Sequence, residues 1–354
     1  MRKAGCVCEE ANFICVRTEI SLGHESNVDA LTICFGKDGE QLEFAAEPGE
    51  TVEYELENGV YDVLVTIGPD WHAYYYRFTL EVARPPEPDP ELALSAAELA
   101  QGQAAAVRLS HVPEGEYWLV PLMSQYDNIP MYRLPGGAYM AVLPVPVTVG
   151  IGSFDVAVVS AAGETVASAP LKIIPYNFER QDLTVSDSLG SVLSNENQRK
   201  DDEKMAGIYD HPLALPQWQG LFIVPCEGGV TTKFAQQRYI NGAFASTHSG
   251  VDIGAAQGTE VKAAAAGRVI FADELIISGN TVIIDHGAGV YTSYLHLSEI
   301  NVAVGEDIKQ GKVVGLVGST GFSTGPHLHW TLRVNGRIVD PFWMTENDIS
   351  GLLF

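Results

Sequence analysis

The chain has 354 residues, enough for two or three domains, and its 46% hydrophobic content supplies ample material for buried cores. Its 21 basic and 45 acidic residues leave a formal charge of −24, which argues against nucleic acid as a partner, because phosphate binding needs clustered Lys and Arg. No window offers the eighteen or so uninterrupted apolar residues of a membrane-spanning helix, so no transmembrane segment is expected.

Four of the five cysteines, Cys6, Cys8, Cys15 and Cys34, fall in the first 34 residues without a CxxC pair, so a cysteine zinc site is not expected. Cys15 and Cys34 lie in separate strand-like runs and could be bridged or remain free buried thiols. MRKAGC ends like a bacterial lipoprotein signal but lacks its apolar segment, so a lipid anchor at Cys6 is the less favoured reading. From about residue 12 to 84, runs such as ALTICF and YDVLVTIG alternate with turn signals, which predicts a β-sandwich over 1–84. Four prolines in six residues then mark 85–91 as an extended linker. Residues 92–175 again read as short strands and a small sandwich. A polar linker or helical arm is expected over 176–215, and a glycine-punctuated β domain over 216–354. The acidity is uneven, with 13 basic and 33 acidic residues up to position 215.

Chemistry-bearing residues gather in the last segment. In GPHLHWTLRV, residues two apart share a face, so Leu328, Trp330, Leu332 and Val334 form an apolar side and His327, His329, Thr331 and Arg333 a polar one. In THSGVDIG, His248 and Asp252 share a face whether the chain is extended or helical. In YTSYLHL, alternation puts Thr292, Tyr294 and His296 on one side. A catalytic zinc takes three protein ligands and keeps a fourth position for water; hydrolysis further needs a base and an oxyanion donor. With no H-E-x-x-H helix to supply a glutamate base, a second histidine pair would have to do that work. His24, His72, His111 and His211 have no partner at ligand spacing and are expected at the surface or in satisfied sites. His286 reads as structural, and Asp285 and Asp340 as turn or supporting groups.

H-x-x-x-D (His248 to Asp252), Y-x-H-L (Tyr294 to Leu297) and G-x-T-G-x-S-T-G-P-H-L-H (Gly318 to His329), in this order, resemble the lysostaphin and LytM-type zinc endopeptidases of bacterial cell walls. The likeness is dense from about Phe234 to Pro341. It implies one Zn2+ per chain held by His248, Asp252 and His329, with His296 and His327 as the catalytic histidines. It also implies hydrolysis of peptide cross-links or stem peptides of peptidoglycan by an exported protein of the periplasm or cell envelope. The alternative it carries is a catalytically silent wall-binding protein that regulates other wall hydrolases. Ala235 departs from the glycine of many relatives, and Glu260 from their proline. Residues 92–175 are similar to the immunoglobulin-like domain that precedes some of these peptidases. The expected architecture is therefore mainly β: two small β-sandwich, immunoglobulin-like domains, then a β-rich LytM-type catalytic domain. Peptidoglycan peptides are the expected partner, with wall or protein contacts left to the N-terminal domains. Residues 216–354 are expected to fold alone.

Overall fold

The computed structural model describes residues 31–38, 40–46, 59–67, 74–82, 88–183, 192, 194–240 and 243–354. The chain divides into two compact units, Met1–Pro88 and Asp89–Phe354. Cys6, Cys8, Cys15, His24 and His72 lie outside the described residues, and with them the pairing of Cys15 with Cys34. Among the described residues no helix is long and apolar enough to cross a membrane.

In the first unit four antiparallel strands pair in the order Glu40–Ala46, Leu31–Lys37, Gly59–Ile67, Tyr74–Val82. GVYDVLVTI alternates because successive side chains leave a strand on opposite faces. Tyr61, Val63, Val65 and Ile67 are buried on one side, where Val65 and Val63 sit opposite Ile33 and Phe35.

The second unit opens with two facing sheets. One runs Tyr132–Arg133, Tyr139–Pro144, Ala104–Ser110, Glu91–Leu94; the other runs Glu98–Ala100, Thr165–Ile174, Gly152–Ser160, Tyr117–Leu119, Ile129–Pro130. Ala105, Val107, Leu109, Tyr139, Ala141 and Leu143 of the first sheet meet Leu119, Val156, Val158, Leu171 and Ile173 of the second in one buried cluster. Their even-numbered neighbours Ala104, Ala106, Met140 and Val142 point the other way, into the core that holds Trp330, Leu332, Val334 and Met344. A sheet buried on both faces reads as a continuous apolar run, which is why QAAAVRL and AYMAVLP show no alternation. Hydrogen bonds cross the same seam. Trp343 Nε1 donates to the Ala104 carbonyl at 2.8 Å, and Asn335 Nδ2 to that of Val142 at 2.6 Å.

After the sandwich, Arg180–Leu183 pairs in parallel with Gln237–Ile240. Asn195–Met205 is a helix, capped by Ser194, whose side chain accepts from the Asn197 N–H. NENQRKDDEKM has no broad apolar stripe to bury, so polar anchors seat it. Buried Asp201 accepts the backbone N–H groups of Ile276 and Ile277 at 2.7 and 2.8 Å, and Lys204 pairs with Asp273.

The remaining long strands form one antiparallel sheet in the order Gly229–Thr232, Val251–Gly254, His327–Val334, Val290–Leu297, Gly279–Asp285, Gly267–Leu275, Asp307–Ile308; Arg337–Val339 pairs with His327–Val334 as well. HLHWTLRV sorts as its alternation predicts. Leu328, Trp330, Leu332 and Val334 are wholly buried in the core, and His327 and His329 occupy the opposite face. The architecture is mainly β, as expected.

Candidate active site

Strands Val251–Gly254 and His327–Val334 are neighbours whose register sets Asp252 opposite His329. Antiparallel partners share a face, so the two side chains leave the sheet together. His248 follows the strand Ala243–Thr247, and its backbone is pinned: its N–H donates to the Gln236 carbonyl at 2.9 Å, and its carbonyl accepts from Ala235 at 3.0 Å. All three side chains are buried. His248 Nε2 lies 3.0 Å from Asp252 Oδ1 and 3.0 Å from His329 Nδ1, and His329 Nδ1 lies 2.7 Å from Asp252 Oδ1.

Hydrogen bonding alone does not account for this triangle. His248 Nδ1 is 2.9 Å from the Lys233 carbonyl, which can only accept, so the neutral ring carries its proton there and turns a lone pair at Nε2 toward the carboxylate. Converging acceptors are stabilised by a cation between them. Tetrahedral zinc bonds of about 2.0–2.2 Å would space such donors roughly 3.3–3.6 Å apart, so the three groups, at 2.7–3.0 Å, would have to spread by several tenths of an ångström to hold the ion. The charges agree with that donor set. Burial pulls His329 down despite Asp252 beside it.

Two further imidazoles flank the triangle. His327 Nδ1 lies 2.8 Å from the Gly325 carbonyl and His296 Nδ1 2.8 Å from the Thr320 carbonyl, so the same tautomer argument frees each Nε2. Their ring centroids are 4.9 Å apart, and that of His296 is 6.1 Å from His329. His327 Nε2 stands 3.9 Å from Asp252 Oδ1. Burial, reinforced by His329 and His327, brings the His296 imidazole down to about 4.

The common face expected for Thr292, Tyr294 and His296 does not form. Thr292 and Tyr294 pair with Leu332 and Trp330 and point to the core, where Tyr294 Oη accepts from Thr292 Oγ1 and from the Ala264 N–H. His296 departs from that face because its φ is +62° and the pairing with Gly279–Asp285 shifts register between Asn280 and Val282. A left-handed residue costs about 1–2 kcal/mol. Two bonds oppose that cost, from the His296 N–H to the Ser278 carbonyl at 2.9 Å and from Nδ1 to Thr320. Gly279 and Gly321 let the surrounding loops close, since a Cβ on Gly279 would collide with Thr320 and one on Gly321 with the Gly279 nitrogen. Ala235 has a φ of +57°, a left-handed conformation that glycine adopts without steric cost.

The other sequence candidates stay apart from this cluster. Buried His286 bonds the Ala266 carbonyl and Thr292 Oγ1, both at 2.7 Å. Asp285 accepts from the Leu213 and Gly287 N–H groups, and Asp340 from that of Phe342. His111 and His211 are exposed. Sequence reasoning missed Arg238, whose Nη2 lies 2.9 Å from Asp252 Oδ2; the two are fourteen residues apart, and only the folding of the sheets brings them together.

The family model described as Peptidase family M23 matches residues 246–341. The DD-carboxypeptidase/endopeptidase Mpg of Neisseria meningitidis is 49% identical over 94 residues, 27% of this chain and 22% of that protein. The murein hydrolase activator EnvC of Escherichia coli is 42% identical over 129 residues, 36% of this chain and 29% of that one. The chain thus spans less than a third of the length of these curated relatives. A Pseudomonas aeruginosa crystal structure assigned to peptidase M23 superposes with a TM-score of 0.51 at 25% identity, covering 70% of this chain and 94% of that one. The matched region contains both the triangle and the flanking imidazoles, and residues 246–341 form a peptidase family M23 domain.

Proposed function

We propose that the chain is a zinc-dependent endopeptidase that hydrolyses peptide cross-links or stem peptides of bacterial peptidoglycan, in the periplasm or cell envelope. The observation that carries this reading is the convergence of His248 Nε2, Asp252 Oδ1 and His329 Nδ1 within 4.8 Å of one another, with two imidazoles beside them. One zinc ion per chain, held by these three atoms, would supply Lewis-acid polarisation of the scissile carbonyl and lower the pKa of the attacking water to about 7. His296 and His327 divide the remaining work. One takes the water's proton at its free Nε2 and passes it to the leaving amine, while the other, protonated at Nε2 as well, donates a hydrogen bond to the developing oxyanion. Carbonyls at both Nδ1 atoms fix a proton there and turn each Nε2 toward the reaction. Segments 1–84 and 92–175 would meet the wall or a protein partner.

The test is mass spectrometry of peptidoglycan fragments incubated with the zinc-loaded chain. New peptide ends should arise, vanish with a chelator and return with zinc. If no wall fragment is cut, the reading fails. A silent regulator of other wall hydrolases is the second reading, favoured by the likeness to EnvC. It requires a chain that releases nothing itself yet accelerates another hydrolase.

A further inference from the structure

We propose that Arg238 is a positioning residue that keeps Asp252 a one-oxygen metal ligand, and that Gln181, from the segment ahead of the peptidase domain, holds Arg238 for that task. The proposal rests on the metal-centre reading above. Asp252 divides its oxygens: Oδ1 faces His248, His329 and His327, while Oδ2 accepts from Arg238 Nη2 at 2.9 Å. A carboxylate with both oxygens free can grip an ion through both, and so fill the position that water and substrate need. The guanidinium removes that option with a charge-assisted bond. The pair is sheltered, with 23% and 9% of the two side chains exposed, so solvent and salt screen it less than a surface pair.

Arg238 is itself oriented from behind. Its Nε donates to Gln181 Oε1 at 3.3 Å, and Gln181 Nε2 donates to Thr232 Oγ1 at 3.1 Å. Strand pairing enforces both neighbourhoods: Gln181 is the register partner of Arg238, and Thr232 that of Asp252. The four side chains therefore close a circuit, Asp252 to Arg238 to Gln181 to Thr232 and back across the strand pair to Asp252. Arg238, Gln181 and Thr232 all lie outside residues 246–341, so the metal ligand's geometry depends on chain that the family match does not include.

Cobalt(II) in place of zinc reports coordination through its visible absorption, which is strongest for four-coordinate ions and weaker when a ligand is added. In the full chain, Arg238→Met should still bind one cobalt, with visible absorption lower by about twofold or more. Gln181→Met should shift the spectrum in the same direction by less, and Arg238→Lys should restore part of the intensity. Affinity measured by chelator competition should fall by roughly 10- to 100-fold in Arg238→Met, as for other groups that support a ligand. Wild-type spectrum and affinity in Arg238→Met would overturn the proposal while leaving the metal centre standing. Should Arg238→Met prove unfolded by circular dichroism, Gln181→Met decides, because an unchanged spectrum there removes the circuit. A wild-type chain that takes up neither metal would overturn the centre and this proposal together.

Discussion

His327 and His329 stand two residues apart on one strand and one face, yet only one of them reaches the triangle: His329 Nδ1 lies 2.7 Å from Asp252 Oδ1, and His327 Nε2 lies 3.9 Å away. The nearer ring presents Nδ1; the farther one has its Nδ1 committed to the Gly325 carbonyl.

That difference predicts a clean split between variants. His329→Ala should lose most of its zinc in elemental analysis. His327→Ala and His296→Ala should keep zinc and lose kcat by about 10²- to 10⁴-fold, the usual worth of a general acid or base. Near-normal turnover in both would remove the two histidines from the mechanism.

His286 predicts the acid side of the stability curve. Burial pulls its pKa from 6.5 down to about 4, with the Ala266 carbonyl opposing. The folded value lies below the unfolded one, so the unfolded chain binds the extra proton between these values and stability falls as pH drops from 6.5 toward 4. Above pH 6.5 this group adds no pH dependence. Its full contribution is about 3 kcal/mol. Urea unfolding at pH 7.5, 6 and 4.5 should show the decline, and His286→Gln should flatten it; an equal slope in the variant would refute the assignment.

Asp201 predicts a link from the helix Asn195–Met205 to the catalytic loops. Removing its carboxylate strands two N–H groups, at Ile276 and Ile277, for a loss of about 2–3 kcal/mol. Ser278, the next residue, accepts the His296 N–H. Asp201→Ala should therefore speed amide exchange at Ile276 and Ile277 and lower kcat with zinc content unchanged. Exchange rates equal to wild type would count against the link.

The seam between sandwich and peptidase sheet predicts the outcome of truncation. Residues 216–354 alone would bare the apolar surface that covers Ala104, Ala106, Met140 and Val142, and would leave the Trp343 indole without the Ala104 carbonyl. Against the sequence expectation of a self-sufficient piece, this fragment should melt well below residues 89–354 in scanning fluorimetry. Equal melting temperatures would show the seam to be dispensable.

Much of the site was legible because a strand's period of two is strict: HLHWTLRV sorted into a core face and a histidine face without help from the fold. YTSYLHL was misread for a local reason. The left-handed turn at His296 and the nearby register shift break the alternation that places Thr292 and Tyr294, and neither has a sequence signature beyond the glycines at 279 and 321. Arg238 and Gln181 were illegible because their partners are set by strand pairing across distant segments. QAAAVRL and AYMAVLP hid their facing directions, since burial on both sides erases the contrast that reveals a face.

That two-sided sheet also bears on how the protein comes apart. Ala105 and Ala106 are adjacent in the chain yet belong to different cores, so the strand that carries them cannot leave one core without vacating the other. Unfolding of residues 89–354 is therefore expected as one cooperative transition, with calorimetric and van't Hoff enthalpies in agreement, and a lesion deep in the sandwich would be felt as lost protection around the histidine strand.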